Sequence, residues 1–231
     1  MKGCRSKLTK TEDLPAPNKY AQMLVGEYSH KAFDQERVPP LKGKWHEEVF
    51  KKPKDFPIDV EIGTGNGYHF ADRSSKNLDR GLIGFEVKYK PLIQTIRRAL
   101  KAGAEDNAYI CRYNASDLIE LFEPGEIENL FIHHPDPWPR KKHWKHRLIQ
   151  DQFLKELHGL MKPGRFIEFK TDNLEYFDWS EEIFKNSDFE VTFLTRDLHN
   201  SEKAETNFIT HFEKIFLAKG QPIYYLTAVK K

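Results

Sequence analysis

From residue 58 onward, short apolar runs alternate with stretches of helical spacing, and this alternation constrains the fold more than any other feature of the chain. Strands separated by helices pair in parallel through crossovers, so the pattern predicts an α/β domain with a mainly parallel sheet covered on both faces. The runs at 58–62, 81–86, 108–112, 130–133, 165–169, 189–194 and 223–229 read as seven strands. Helices are expected near 68–75, through Tyr89, Leu92, Ile93, Ile96 and Leu100, and through Ile149, Phe153, Leu157 and Leu160 up to Pro163-Gly164. Two more are expected near 175–184 and 210–218. Residues 1–57 differ: they hold Pro15, Pro17, Pro39, Pro40, Pro53 and Pro57 and little periodicity. They read as an N-terminal arm, partly extended and flexible, with a short helix near Trp45–Phe50, ahead of a catalytic-size domain at 58–231.

Composition excludes several classes. With 17 Phe, 9 Tyr and 4 Trp the chain can fill a core, which rules out disorder throughout. Its 13 Gly and 2 Cys exclude collagen-like and disulfide-rich scaffolds. Cys4 and Cys111 form no CxxC and read as reduced structural thiols. No apolar run nears the ~20 residues of a membrane helix, and the first residues lack a signal-peptide core, so a cytoplasmic protein without a membrane partner is expected. Net charge is +2, so affinity for a polyanion must come from clustering. Clustering is present: residues 140–147, RKKHWKHR, hold five Lys/Arg, two His and no acid, and residues 1–54 hold twelve Lys/Arg against seven acids.

The glycine loop Gly63-Thr64-Gly65-Asn66-Gly67 follows the first strand of this domain, where open α/β sheets bind ligands. A dinucleotide loop would read GxGxxG; here the third glycine comes one residue early, and Glu61 before the loop would repel a pyrophosphate. An acid there suits a cationic ligand such as S-adenosylmethionine. Glu86, ending the second strand 25 residues after Glu61, stands where a carboxylate accepts hydrogen bonds from a ribose. The loop favours S-adenosylmethionine over a dinucleotide without deciding between them.

The segment IHHPDPWPRKKHWKHR at 132–147 carries more. It follows the fourth strand, which puts Asp136 on the same sheet edge as the glycine loop and Glu86. Prolines 135, 137 and 139 stiffen the backbone around Asp136 and Trp138. A rigid acid beside a rigid aromatic suits a nucleobase, which stacks on the ring and offers N–H groups to the acid, while the cations next door suit phosphates. Trp138 reads equally as a packed residue of the loop. His133, His134, His143 and His146 also suggest a metal, but no Cys lies near and none is expected.

PDPWPRKKHWKHR resembles the signature of bacterial tRNA (guanine-N7-)-methyltransferases, which methylate guanine 46 in the tRNA variable loop. VEIGTGNG, the acid of IGFE, LKGKW at 41–45, FKTDN at 169–173, DLHNS at 197–201, and NFITHFEKIF and GQPIY between 207 and 225 match as well. The resemblance covers residues 41–229. It implies a doubly wound, Rossmann-like class I methyltransferase fold, S-adenosyl-L-methionine as cofactor, tRNA as partner, and a monomer or homodimer. By the same resemblance Glu61, Gly63, Gly65, Glu86, Asn114 and Asp136 bind the cofactor and Asp136 is also catalytic. Arg140, Lys142, His143, Trp144, Lys145, His146, Arg147, Asp172, Thr210, His211, Phe212 and Glu213 fall on substrate-contacting positions. Lys142 and His146 stand where Arg is usual, and His211 where an acid is usual. Because N7 of guanine carries a free lone pair, Asp136 is expected to orient and stabilise charge rather than act as a base. A non-catalytic RNA-binding protein on this fold is the alternative, and a nicotinamide-dependent oxidoreductase stands third.

Overall fold

All seven expected strands form, and they belong to one sheet. The computed structural model describes residues 8–231. The strands are β2 (Ile58–Ile62), β3 (Gly81–Phe85), β4 (Ala108–Cys111), β5 (Leu130–His133), β6 (Phe166–Thr171), β7 (Phe189–Thr195) and β8 (Tyr224–Lys230). An eighth, β1 (Ala32–Phe33), corrects the count: it pairs in parallel with Ile110 and Cys111, and at two residues it is too short to leave a periodic signal. The order is β1-β4-β3-β2-β5-β6-β8-β7, parallel except for β8, which runs antiparallel to both of its neighbours. The order reverses at β2, so the crevice between the ends of β2 and β5 is the topological switch point where such sheets bind ligands.

Six α-helices among the described residues flank the sheet: α1 (Lys19–Val25), α2 (Tyr68–Lys76), α3 (Tyr89–Lys101), α4 (Asp151–Leu160), α5 (Leu174–Lys185) and α6 (His211–Leu217). Alternation along β2 divides the two faces. Ile58, Val60 and Ile62 join a core with Leu154, Leu157, Phe169, Tyr176 and Phe177, each of these side chains worth about 1.5–3 kcal/mol on burial. Asp59 and Glu61 point to the other face, toward α2. Asp59 is fully buried there, bonded to Arg73, Arg80 and Asn129, which meets the rule that buried charge is paired. No helix among the described residues is long and apolar enough to cross a membrane.

Phe33, Val38, Trp45, Val49 and Phe50 of the N-terminal segment pack into this core. Trp45 lies in a π-helical turn, Trp45–Phe50, is fully buried, stacks on Phe122 at 5.4 Å, and donates its indole N–H to the Leu121 carbonyl at 2.8 Å. Phe50 occupies the space above Gly81, where an added Cβ would come within 2.5 Å of its ring. Arg112, at the end of β4, donates to the Thr9 carbonyl at 2.9 Å. Cys111 is buried and unpaired, and burial pushes its thiol well above the usual range. Cys4 lies outside the described residues.

Candidate active site

The parallel register places Gly63, Glu86, Arg112 and His134 just beyond the last paired residues of four neighbouring strands. The glycine loop is held from below. Thr95 donates its hydroxyl to the Gly65 carbonyl at 3.1 Å, and Gly67 approaches Thr95 so closely that a Cβ would lie 2.4 Å from its Cα. Gly63 and Gly65 adopt φ of 71° and 54°, which favour glycine, and a Cβ on Gly63 would meet nothing within 4 Å. The loop therefore faces open space. Glu86 borders it: one oxygen accepts the Gly65 N–H at 3.2 Å and the other the Lys88 N–H at 2.9 Å. Burial raises the Glu86 pKa against these two bonds. Asn114, on the same edge, caps the turn after β4 by accepting the Ser116 N–H at 3.2 Å.

Asp136 is exposed and free of hydrogen bonds and ion pairs among the described residues. Its backbone is fixed by Pro135 and Pro137 and by Arg147, whose Nε donates to the Pro137 carbonyl at 2.8 Å. Trp138, at φ 45°, is partly exposed and meets the His143 and His146 rings at 5.8 and 5.2 Å, so it serves the loop's own packing as well as facing solvent. Residues Lys141–His146 form a 3-10 turn that exposes Lys141, Lys142, Lys145 and His146, with Arg140 exposed just before it and His143 and Trp144 half-buried. Arg147, by contrast, is buried, its guanidinium 4.4 Å from the Trp144 ring, 5.1 Å from Tyr176 and 5.3 Å from Trp179. The aromatic cage it fills comes mostly from α5, which no local reading connects to residue 147.

Glu61 does not reach the cleft by itself. It is buried under the first turn of α2 and accepts a hydrogen bond from the His69 Nδ1–H at 2.7 Å, since a carboxylate can only accept. His69 packs edge-on against His133 at 4.4 Å. His133 shares a bond of 2.8 Å with Glu168, whose other oxygen accepts the Tyr225 hydroxyl at 3.0 Å. Burial, helped by Lys170 and His69, lowers His133 to about 3 against the pull of Glu168. Glu168 stays ionised: burial would raise its pKa, but the His133 bond and Lys170 hold it far below the usual range. His69, His133 and Glu168 bring three potential metal donors within 4.8 Å of one another. His69 and His133 each already share a hydrogen bond with a carboxylate, the His133 Nδ1 is buried without a partner, and the Lys170 ammonium lies 3.6 Å from Glu168, so a cation here would meet a neighbouring positive charge. A cavity of about 440 Å³ opens beside it, lined by Arg73, Lys203, Asn207 and Tyr225 among others. None of Gly63, Gly65, Glu86 or Asp136 lines that cavity; the candidate site is instead the open cleft at the strand ends.

The helix α6 leans over that cleft. Phe212, half exposed, lies 4.0 Å from where a Gly65 Cβ would be, and His211 stacks on Tyr68 at 5.9 Å. Thr210 and Glu213 form a capping box in which the Thr210 hydroxyl accepts the Glu213 N–H at 3.2 Å and the Glu213 carboxylate accepts the Thr210 N–H at 3.3 Å. Both are buried here. Glu213 also accepts the Asn207 amide at 2.9 Å, so in this structure it anchors α6 rather than facing a ligand. Asp172, one residue past β6, is half-exposed and bonded to His134 at 3.2 Å. The sequence marked His134 only as a metal donor; the signal for this contact, a histidine two residues before Asp136, carries no direction until β6 and α6 are in place.

Comparison with known proteins follows the same lines. Residues 55–226 match a family described as "Putative methyltransferase". The chain is 49% identical over 207 residues to a tRNA (guanine-N(7)-)-methyltransferase of Bdellovibrio bacteriovorus, covering 90% of this chain and 99% of that protein. It is 39% identical over 183 residues to the Bacillus subtilis protein of the same name, covering 79% and 84%. Among solved structures, the 16S rRNA methyltransferase KamB superposes with a TM-score of 0.57 at 11% identity, over 79% of this chain and 93% of that one. An antibiotic-related methyltransferase superposes with a TM-score of 0.53 at 19% identity, over 76% and 87%. These two share the fold.

Proposed function

Because this chain belongs to the tRNA (guanine-N(7)-)-methyltransferase family, we propose that its cleft transfers a methyl group from S-adenosylmethionine to N7 of a guanine in tRNA, specifically guanine 46 of the variable loop. The observation that carries the reading is the juxtaposition on one sheet edge of an open glycine loop bordered by Glu86 with a free, proline-held Asp136 and an exposed basic turn. The donor set fits the cofactor: carboxylates suit a sulfonium, an amino group and ribose hydroxyls, and the loop leaves room above Gly63.

When bound, S-adenosylmethionine supplies an electrophilic methyl on a sulfonium. The protein's residues bind and orient. Glu86 accepts ribose hydroxyls while its Gly65 bond keeps loop and acid in register. Asn114 and the loop backbone contribute the remaining cofactor contacts, and the buried Glu61 adds negative charge under α2. Asp136, with Asp172 beside the same cleft, grips the guanine N–H groups and stabilises the positive charge that the purine acquires. N7 loses no proton, since its lone pair forms the new bond, so no general base is needed. Arg140, Lys142, Lys145 and His146 hold phosphates, with His143 and Trp144 shaping the turn, and Phe212 and His211 border the base.

The test is incubation with an unmodified tRNA transcript and methyl-labelled S-adenosylmethionine, followed by nucleoside analysis. N7-methylguanosine is expected, lost when guanine 46 is replaced. Another methylated nucleoside, or none, would overturn the reading.

A further inference from the structure

We propose that His134 is a positioning residue of the methyl-transfer site, a buried cation that ties the Asp136 loop to Asp172 and to α6. The proposal rests on the functional reading given above. Three segments that border the cleft meet at this one side chain. Its own backbone lies two residues before Asp136, and its N–H continues the β5–β6 ladder by donating to the Lys170 carbonyl at 2.8 Å. Its Nδ1 lies 3.2 Å from the Asp172 carboxylate. Its Nε2 is buried, makes no hydrogen bond, and lies 3.9 Å from the Glu213 carboxylate of α6. The ring sits between Phe212 and Phe216, with centroids at 6.0 and 6.1 Å. His134 also holds φ 50°, a conformation uncommon outside glycine that persists where surrounding contacts determine it.

The protonation state follows from these contacts. A neutral ring that donates from Nδ1 to Asp172 turns the lone pair of Nε2 toward a second carboxylate, leaving a buried acceptor without a donor. An imidazolium donates from Nδ1 to Asp172 and turns an N–H rather than a lone pair toward Glu213. Burial opposes the charge, but Asp172 and Glu213 outweigh it and raise the His134 pKa above the usual histidine value. The other charged or titratable groups facing this contact are Lys170, 3.5 Å from Glu213, and His199, 3.4 Å from the other Glu213 oxygen. Both share Glu213 with His134, whereas among the described residues Asp172 is paired with His134.

The consequence concerns alignment. Asp136 and Asp172 lie on separate loops, and Phe212 hangs over Gly65 from a helix of seven residues. A charged His134 makes these one unit. Losing the proton releases α6 from the loop, so methyl transfer should slow as pH rises through the His134 pKa. An essential general base would do the opposite and gain activity with rising pH.

The experiment measures single-turnover methylation of tRNA between pH 6 and 9, with saturating cofactor, for wild type, His134→Asn and His134→Phe. Asn tolerates the left-handed backbone and keeps a donor for Asp172; Phe keeps the ring between Phe212 and Phe216. Wild type should lose rate at high pH. Both variants should be slower at pH 7 by about tenfold or more, within what a misplacement of roughly 1 Å can cost. Both should lose the high-pH decline, Asn staying the faster of the two, while affinity for S-adenosylhomocysteine is unchanged. Variants that keep the wild-type rate and profile would overturn the proposal. Imidazole NMR of the wild-type protein gives a second measurement that needs no variant: His134 should remain protonated above pH 7, and a neutral ring at pH 7 would equally overturn it. If wild type methylates no guanine at all, the functional reading fails, while the NMR result still stands on its own for His134.

Discussion

Glu86 is pulled two ways, and the balance gives it a measurable signature. Burial raises its pKa, while the Lys88 and Gly65 N–H groups favour the ionised form without fully offsetting the burial. A raised carboxylate pKa means that the folded protein takes up this proton more readily than the unfolded chain does. Its contribution to stability is therefore present below the unfolded pKa and lost as pH rises through the folded one. Cofactor binding runs the other way, because the ionised acid is the better acceptor for ribose hydroxyls. Calorimetric titration with S-adenosylhomocysteine should show weaker binding at pH 5 than at pH 7. Glu86→Ala should cost about 1.5–3 kcal/mol at pH 7, as for a bond to a charged group, and should flatten the pH dependence. Equal affinity of variant and wild type would remove Glu86 from the cofactor site.

At the scale of elements, the 3-10 turn Lys141–His146 separates two kinds of basic residue that the sequence presents as one cluster. Lys142 and Lys145 are exposed, and replacing both with Ala should weaken tRNA binding and lower its log–log salt slope by up to about 0.9 per lost phosphate contact. Arg147 is enclosed by Trp144, Tyr176 and Trp179 and bonded to the Pro137 carbonyl. Arg147→Ala should leave the salt slope unchanged and lower unfolding stability by ~2–3 kcal/mol, from a desolvated cation–π contact and a charged hydrogen bond. Filter binding across a salt series, paired with denaturant unfolding, distinguishes the two. An altered slope for Arg147→Ala would return that residue to the RNA surface.

For the whole molecule, described residues of the N-terminal segment share their core with the sheet. Trp45 is fully buried against Phe33 and Phe122, and β1 lengthens the sheet at its β4 edge. Trp45→Ala should then lower the stability of the entire domain by about 3–5 kcal/mol in a single cooperative transition. A loss below roughly 1 kcal/mol would mark the segment as peripheral to the fold.

Local chemistry made much of this protein legible in its sequence. The alternation of periods from residue 58 is a property of neighbouring residues, and it located all seven longer strands and the helices between them. The glycines of the loop act through their own φ angles, and Pro135 and Pro137 through theirs, so the loop and the rigid acid were readable one residue at a time. Tertiary structure decided whatever depends on a partner distant in the chain. Arg147 is internal because α5 supplies Tyr176 and Trp179; Glu61 is turned to His69; Glu213 is buried with Lys170; and His134 lies between Asp172 and Glu213. A side chain's type and spacing set what it can bind, but its burial and charge state are set by groups dozens of residues away, which meet only when the sheet closes.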